Sequence, residues 1–314
     1  MEIAGCNCTG NRLGNTGYPN VKPFGVTAGI YMVPINAEDG SRNGLDLTST
    51  TLGADILAMI NNVDPSKRAY PYLGLKNVAP TQGEAVYQTA DDGQRFKLRN
   101  GIQNIAFEVW GVTEQFYGKT SAACIEFGIY QIDNCGNLKG QKEGEVLYPR
   151  PVNKESFDSM YVPTSNEAGA KVVFNMDYDF LTSDSNQWML PAEDFGDLSL
   201  LSLKGMIDVR LTLVDVQSST VVIVDAEFDY GYANNPLPWK GATATDFTFY
   251  NVTDAAAISK TVAESATVPG RYTITAGAAI TAADVVTLNA YKAATGNLMN
   301  GYEGIELEFV YSWT

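Results

Sequence analysis

The sequence contains no histidine, and this absence removes several kinds of chemistry at once. Catalysis by Ser-His-Asp or Cys-His groups needs an imidazole, and so does a His-ligated metal site. The chain has four cysteines, which are Cys6, Cys8, Cys124 and Cys135. The Cys6-x-Cys8 spacing is too short for a common zinc knuckle, and a chain of 314 residues can bury a core without disulfides. We therefore expect reduced, structural thiols, no bound metal and no cofactor.

Long hydrophobic runs are also missing. No window approaches the ~20 apolar residues of a membrane span. The N-terminus lacks a charged segment followed by an apolar one, which a secretory signal would require. We expect a chain that does not span a membrane and is not conventionally secreted.

Positive charge is scarce and unevenly placed. The chain has 21 basic and 36 acidic side chains, a net charge of −15, and residues 158–314 carry 7 basic and 20 acidic groups. Binding to a phosphate backbone needs clustered Lys and Arg, so this balance argues against stable nucleic-acid binding. An acidic surface would, however, let DNA pass without adhering to it.

The residues that are present favour β-structure. Three segments of the second half alternate between an apolar and a polar face, as strands do when they cover one side of a core. Their apolar rows are Phe174, Met176, Tyr178 and Phe180; Val222, Val224, Ala226, Phe228 and Tyr230; and Ile305, Leu307, Phe309, Tyr311 and Trp313. A fourth row joins Ile207, Val209, Leu211 and Leu213, with Asp208 and Arg210 outside. We predict an all-β fold, an antiparallel β-sandwich or barrel with a flanking helix and a smaller C-terminal β region.

Turn signals divide the chain further. Glycines and prolines crowd the first residues, which predicts an extended N-terminal arm over residues 1–24. A main β-sandwich domain is expected over residues 25–234. The Pro- and Gly-containing loop at 233–245 then precedes a small C-terminal β domain, or strands that complete the first, over residues 245–314.

Two helices and two hairpins are expected in the first half. Apolar spacing predicts a short helix at 54–62 and a longer one at 112–127 that lies on a sheet. Asp92-Gly93 lies between strand-like segments 84–89 and 94–99, and an Asp-Gly pair supplies the positive φ angles of a tight hairpin. A second hairpin is expected at residues 128–140, around Gly136.

The sequence offers only weak catalytic or ligand-binding patterns. Gly118-Lys119-Thr120 resembles the end of a phosphate-binding loop, but Thr113 stands where that loop needs its first glycine. The acidic rows in the second half could bind a hard cation or act as an acid/base pair, although their regular spacing is typical of a solvated strand face. We expect a protein that is not an enzyme.

A family resemblance appears at the predicted hairpins. The run Asp92-Gly93-Gln94-Arg95-Phe96, then residues 99–102, and then residues 127–140 resemble tail tube proteins of long-tailed bacteriophages, best over residues 84–140. Residues 249–253 and 269–273 are similar to segments of phage virion proteins. The resemblance implies a β-sandwich flanked by a helix, six copies in a ring, stacked rings, and an inner surface of long hairpins. The chain is long for such a subunit, so the part after Asn234 would be an added outer domain.

The resemblance and the residues together lead to one expected function. The chain would be a structural virion protein, assembled in the bacterial host cytoplasm, that binds copies of itself and other virion proteins. DNA would be a transient cargo that it does not bind, and no membrane would be involved. Alternatives are a phage capsid protein of jelly-roll type and a surface β-sandwich protein that binds glycans.

Two sets of residues are expected to carry this function. Residues 84–99 and 128–140 are assigned to inter-subunit contacts, through Asp92, Gly93, Arg95, Phe96, Asp133, Gly136 and Asn137. An acidic channel wall is assigned to Asp177, Asp179, Asp225, Glu227 and Asp229, whereas Glu306 and Glu308 are expected to face outward.

Overall fold

A computed structural model of the chain describes residues 24–121, 125–166, 168–179, 186–229, 237–293 and 301–313. The predicted N-terminal arm, except Phe24, lies outside this described part, as do Cys6, Cys8 and Cys124. The chain forms two compact units, Met1–Leu203 and Lys204–Thr314.

Strands make up most of the regular structure, which confirms the all-β prediction. The strands of the first unit are β1 (Thr27–Pro34), β2 (Leu45–Asp46), β3 (Tyr70–Leu73), β4 (Lys76–Gln82), β5 (Val86–Thr89), β6 (Arg95–Arg99), β7 (Gln103–Trp110), β8 (Phe127–Asp133), β9 (Leu138–Glu143), β10 (Val146–Tyr148), β11 (Arg150–Pro151), β12 (Asp158–Val162), β13 (Lys171–Asp177) and β14 (Gln187–Leu190). Those of the second unit are β15 (Met206–Val216), β16 (Val221–Phe228), β17 (Phe247–Asn251), β18 (Ala256–Ala257), β19 (Lys260–Glu264), β20 (Arg271–Ala276), β21 (Val285–Lys292), β22 (Gly301–Ile305) and β23 (Leu307–Val310). Two helices lie in the described part of the chain, α1 (Leu52–Ile60) and α2 (Glu114–Thr120).

The first unit is built on two antiparallel sheets and a separate hairpin. One sheet has the order β2-β10-β9-β8-β1-β3, with β11 added to β8 and β14 to β9, and the other has the order β12-β13-β7-β4. One apolar cluster gathers side chains of β1, β8 and α1, among them Tyr31, Tyr130 and Ile56. A second cluster gathers side chains of both sheets, among them Ile30, Phe107 and Phe174. β1 contributes to both clusters because successive strand residues point to opposite faces.

The short helix α1 is present where the sequence predicts it, beginning and ending two residues earlier. Ile56 and Ile60 are buried as expected, and Leu57 packs at the edge of their cluster. The longer predicted helix at 112–127 is wrong in extent. Among the described residues of this range, helix is limited to the seven residues of α2. This helix begins after Thr113, whose hydroxyl accepts a hydrogen bond from Phe116 N. Phe127 instead begins β8, a fully buried strand, and pairs with Pro34 of β1. The helical spacing of Phe127 from earlier apolar residues did not reveal this long-range pairing.

The second unit is one curled sheet over a single core. Its strand order is β18-β17-β21-β22-β15-β16-β20-β19, and β23 also pairs with β21. Pairings within it are antiparallel except for β15 with β22, which run parallel. The core contains the buried ring of Trp239, which lies against Phe247 and Tyr302 with centroids 5.7 and 5.4 Å away.

The alternating rows of the second half are confirmed at the centres of their strands, whereas Ile207 and Asp208 are equally half-buried, as are Glu227 and Phe228. Phe174, Met176 and Tyr178 are buried in the first unit, and Val222, Val224 and Ala226 in the second. Phe180 and Tyr230 lie outside the described residues. The strand predicted from 305 to 313 is divided between β22 and β23, which pair with different parts of β21.

The predicted domain limits and the compact units differ. β15 and β16, which were expected in the main domain of residues 25–234, share a sheet with β20, β21 and β22. The loop at 233–245 therefore lies inside the second unit, whose limit falls at Leu203 and Lys204. The boundary between the two units follows from the pairing of strands that are far apart in sequence. The Gly and Pro content of the loops does not indicate which strands pair.

No helix in the described residues is long and apolar enough to cross a membrane.

A core substitution in β17 tests the second unit. Phe249 is buried in its core, whereas its neighbour Tyr250 is on the exposed face of the same strand. Phe249→Ala should lower the free energy of unfolding by about 3–5 kcal/mol, because it leaves a cavity. The control Tyr250→Ala should cost about 1 kcal/mol or less. Urea unfolding followed by tryptophan fluorescence measures both, and equal losses would contradict this assignment of the faces.

Candidate functional site

The hairpin formed by β5 and β6 is confirmed around the Asp92-Gly93 turn. Thr89 lies opposite Arg95 and Gln88 opposite Phe96. Gly93 has a φ of 82°, a left-handed value that favours glycine, and Asp92 Oδ1 accepts a hydrogen bond from Gln94 N at 3.0 Å. The turn residues therefore fix the register of the two strands.

The hairpin has one basic face and one apolar face. β6 alternates strictly, with Arg95, Lys97 and Arg99 on one side and Phe96 and Leu98 on the other. On the basic side, Tyr87 of β5 lies opposite Lys97, and the Arg95 guanidinium lies 4.6 Å from the centre of the Tyr87 ring. On the other side, Phe96 is 53% and Leu98 60% exposed.

Nothing in the described part of the subunit covers this hairpin. Every residue of β5 and β6 is exposed, and the two strands form a sheet of their own. Their outer edges have no partner strand among the described residues. A solitary two-stranded hairpin is marginally stable in water, and open edges are places where another chain can pair.

The base of the hairpin is fixed by close backbone contact. Gly83 N donates a hydrogen bond to Ile102 O at 2.8 Å. A Cβ atom at Gly101 would collide with the carbonyl of Gly83, so only glycine fits there. The hairpin therefore leaves the sheet in a defined direction.

The second predicted hairpin, β8 and β9, is also confirmed, but its turn is used inside the subunit. Asp133 is 1% exposed, and its carboxylate accepts hydrogen bonds from Gly25 N, Cys135 N, Asn137 N and Asn137 Nδ2 at 2.7–2.9 Å. Asn137 Oδ1 accepts a further hydrogen bond from Ala192 N at 3.1 Å, and Gly136 is buried. The assignment of these residues to inter-subunit contacts stays a prediction, and it must be compatible with this internal role.

The acidic row of β16 is largely paired with arginine. Asp225 forms a two-bond ion pair with Arg271 of β20, at 2.7 and 2.8 Å, and Glu227 lies 3.1 Å from Arg210 of β15. Asp229 follows β16 and is half-buried. These cross-strand partners reduce the net negative charge that the sequence alone assigns to this face. The expectation that it lines a channel is untested.

The acidic row at the end of β13 begins with Asp177, the last residue of that strand. Its Oδ1 accepts a hydrogen bond from Asn104 Nδ2 at 2.8 Å, and the backbone N–H of Asp179 donates to Pro151 O at 3.0 Å. Both side chains are half-buried.

Other candidate chemistry has little support in the described ranges. Gly118-Lys119-Thr120 forms the end of α2 and not the loop before a helix, so it does not form a phosphate-binding loop. Across the described residues, no group of three or more Cys, Asp or Glu side chains lies close enough to hold a metal ion. Cys135 is an exposed free thiol in the turn after β8.

The assigned range 84–99 contains both faces of the hairpin, but Tyr87, Lys97, Leu98 and Arg99 were not named individually. The alternation of Arg-Phe-Lys-Leu-Arg at 95–99 is a signal that could have identified the last three of them. Tyr87 could be placed only after the strand register was known.

Comparisons of the sequence with protein-family models and curated proteins, and of the structure with solved structures, found no match.

Asp133 provides a test of the second hairpin. Burial alone would raise the pKa of Asp133, but hydrogen bonds from Gly25, Asn137 and Cys135 outweigh it and lower the pKa below its ordinary value. Asp133→Asn should therefore cost about 1.5–3 kcal/mol at pH 7, because it removes hydrogen bonds to a charged acceptor. The carboxylate's contribution exists above the unfolded-state pKa of about 4 and is lost as the pH falls through the lower folded-state pKa, so the difference from wild type should shrink below about pH 4.

Chemical denaturation at several pH values measures this difference. Asp92→Asn is the matched control, since Asp92 is the exposed acid of the other hairpin turn, and it should cost less than about 1 kcal/mol. A loss at Asp133 that stays constant from pH 7 to about pH 3 would contradict the assigned role of its charge.

Proposed function

We propose that this chain is a non-enzymatic structural protein that self-assembles, most specifically as stacked rings of a bacteriophage tail tube through which DNA passes. The observation that carries the proposal is the uncovered hairpin of β5 and β6, with open edges and exposed Phe96 and Leu98. Copies of the chain and other virion proteins are its partners, and the virion, assembled in the host cytoplasm, is its location.

The open edges of the hairpin support assembly with other copies. Each hairpin offers one free edge on β5 and one on β6, within the described chain. If the β5 edge of one copy pairs with the β6 edge of the next, a ring of copies closes into a continuous barrel with no edge left over. A closed ring also stops growth in the plane, which leaves stacking as the way to extend.

The faces of the hairpin support a second copy as the partner. Burying Phe96 and Leu98 would remove apolar surface from water, at about 25 cal/mol per Å². The exposed basic groups of Arg95, Lys97 and Arg99 are complementary to acidic groups, and a chain of net charge −15 offers such groups on its own surface.

DNA passage restricts which face is open to the channel. A row of three basic side chains facing DNA would bind phosphates and slow its passage. The basic face of β6 is therefore assigned to contacts with acidic residues of a neighbouring copy. Acidic rows such as Asp177 with Asp179 remain candidates for the wall.

The tube is favoured over a capsid shell because of the sequence resemblance at residues 84–140, which includes this hairpin. Both would be virion structures, and particle shape separates them.

Replacing the apolar face tests the proposal. The double variant Phe96→Ser and Leu98→Ser should lose ring or tube formation, because the interface loses its apolar contact while the subunit keeps its core. Negative-stain electron microscopy and light scattering measure the particles. The control Val310→Ser changes a similarly exposed apolar residue on β23 and should assemble as the wild type does.

Three outcomes would contradict the proposal. A wild-type protein that stays monomeric at high concentration and moderate salt would remove assembly. Polyhedral shells would replace the tube by a capsid role. Tubes formed equally well by the double variant would remove the hairpin from the interface.

A further inference from the structure

The dipeptide Asn-Gly occurs three times in the chain, at residues 43–44, 100–101 and 300–301. In such a pair the backbone nitrogen of glycine can attack the side-chain amide of asparagine, because glycine has no Cβ atom to obstruct the approach. Asn300 lies outside the described residues. The structure places the other two pairs in different surroundings, and this difference decides which of them can react.

Asn43 is held in place by its neighbours. Its Nδ2 donates hydrogen bonds to Pro34 O at 2.8 Å and to Ser66 O at 2.7 Å. A Cβ atom at Gly44 would lie 2.5 Å from Val146 Cγ1, so this glycine is closely packed. Ring closure at Asn43 would therefore require both hydrogen bonds to break within a packed environment.

Asn100 has the opposite surroundings. It is exposed, and it lies between β6 and β7 outside any strand. Within the described residues, no hydrogen bond joins the Asn100 side chain or Gly101 N to another group. The two groups that would react are therefore open to water.

The backbone around Asn100 must move before the ring can close. Gly101 closely approaches the Gly83 carbonyl at the base of the hairpin. Every residue of β5 and β6 is exposed, so local opening at this base needs less free energy than opening of a buried strand. Such opening allows the rotation that brings Gly101 N to Asn100 Cγ.

From this contrast we propose that Asn100 is a site of spontaneous deamidation. Gly101 N attacks Asn100 Cγ, and a new C–N bond forms as the Cγ–Nδ2 bond breaks. Ammonia leaves with the proton of Gly101 N. Water then opens the cyclic imide at one of its two carbonyl groups and gives aspartate or isoaspartate. The inference does not depend on the proposed tube.

The product changes the base of the hairpin in two ways. A neutral amide is replaced by a carboxylate next to the basic residue Arg99. Isoaspartate also adds a methylene group to the main chain, at the point where the contact between Gly83 and Gly101 sets the direction of the hairpin.

Mass spectrometry of the folded, full-length protein tests the proposal. After incubation in mildly alkaline buffer, the protein is digested with pepsin at low pH, where ring closure is slow. Asn100 should deamidate faster than Asn43 by about tenfold or more, because Asn43 must first break two hydrogen bonds. Asn104 is an internal control that should stay intact, since its Nδ2 donates to Asn175 Oδ1 and Asp177 Oδ1 and isoleucine follows it.

Unfolded protein separates the effect of the structure from that of the sequence. In concentrated urea the surroundings of Asn43 and Asn100 are lost, and the two residues should deamidate at similar rates. Asn100→Gln keeps the amide but requires a larger ring that forms more slowly, so this variant should stay unchanged at position 100. Equal rates at Asn43 and Asn100 in the folded protein, or an intact Asn100 when both residues react in urea, would overturn the proposal.

The effect of the modification on assembly rests on the proposed function. Fresh wild type and fresh Asn100→Gln should assemble alike in light scattering. After incubation the wild type should form fewer particles than Asn100→Gln, because the added charge and methylene group alter the base of the hairpin. Deamidation of Asn100 with unchanged assembly would count against the hairpin as an interface and would leave the modification site established.

Discussion

A buried β-strand can satisfy its backbone only through hydrogen bonds to its neighbours, and this constraint organises the described sheets. Each strand exposes N–H and C=O groups on two edges, and an unpaired buried group costs free energy. The described sheets meet the constraint mostly by pairing residues far apart in sequence, as when β15 and β16 join strands that follow more than 40 residues later. The hairpin of β5 and β6 meets it only between its own two strands. Its outer edges are exposed, so water forms hydrogen bonds with them unless another strand pairs there.

Most carboxylates lie on solvent faces, and several of them form an ion pair with a nearby cation. Asp225 is paired with Arg271 across two strands, and Glu108 accepts hydrogen bonds from Lys171, Trp110 and Asn77. Both pairs are half-buried, so solvent screens them less than it screens fully exposed pairs. Basic groups concentrate on the exposed face of β6.

The local features of the chain could largely be predicted. The burial of Phe174 and Val224 follows from period-two alternation, because the side chains of a strand point alternately to its two faces. Gly93 and Gly136 marked their turns, since few other residues adopt a positive φ. The prediction of a helix that reaches Phe127 was wrong, because a few apolar residues at helical spacing do not reveal that Phe127 pairs with β1.

The features of the candidate sites can likewise be separated into those that the local sequence determines and those that the tertiary structure decides. The sequence by itself determined the class of fold, the position of the two hairpins and the sign of the overall charge, because composition, alternation and turn chemistry are local properties. Only the tertiary structure decided that Asp133 is buried in its turn, that Asp225 has an arginine opposite it, and that the second unit begins at Lys204. Each of these depends on which distant strands pair and in which register, and a one-residue shift of register would turn every side chain of a strand to its other face.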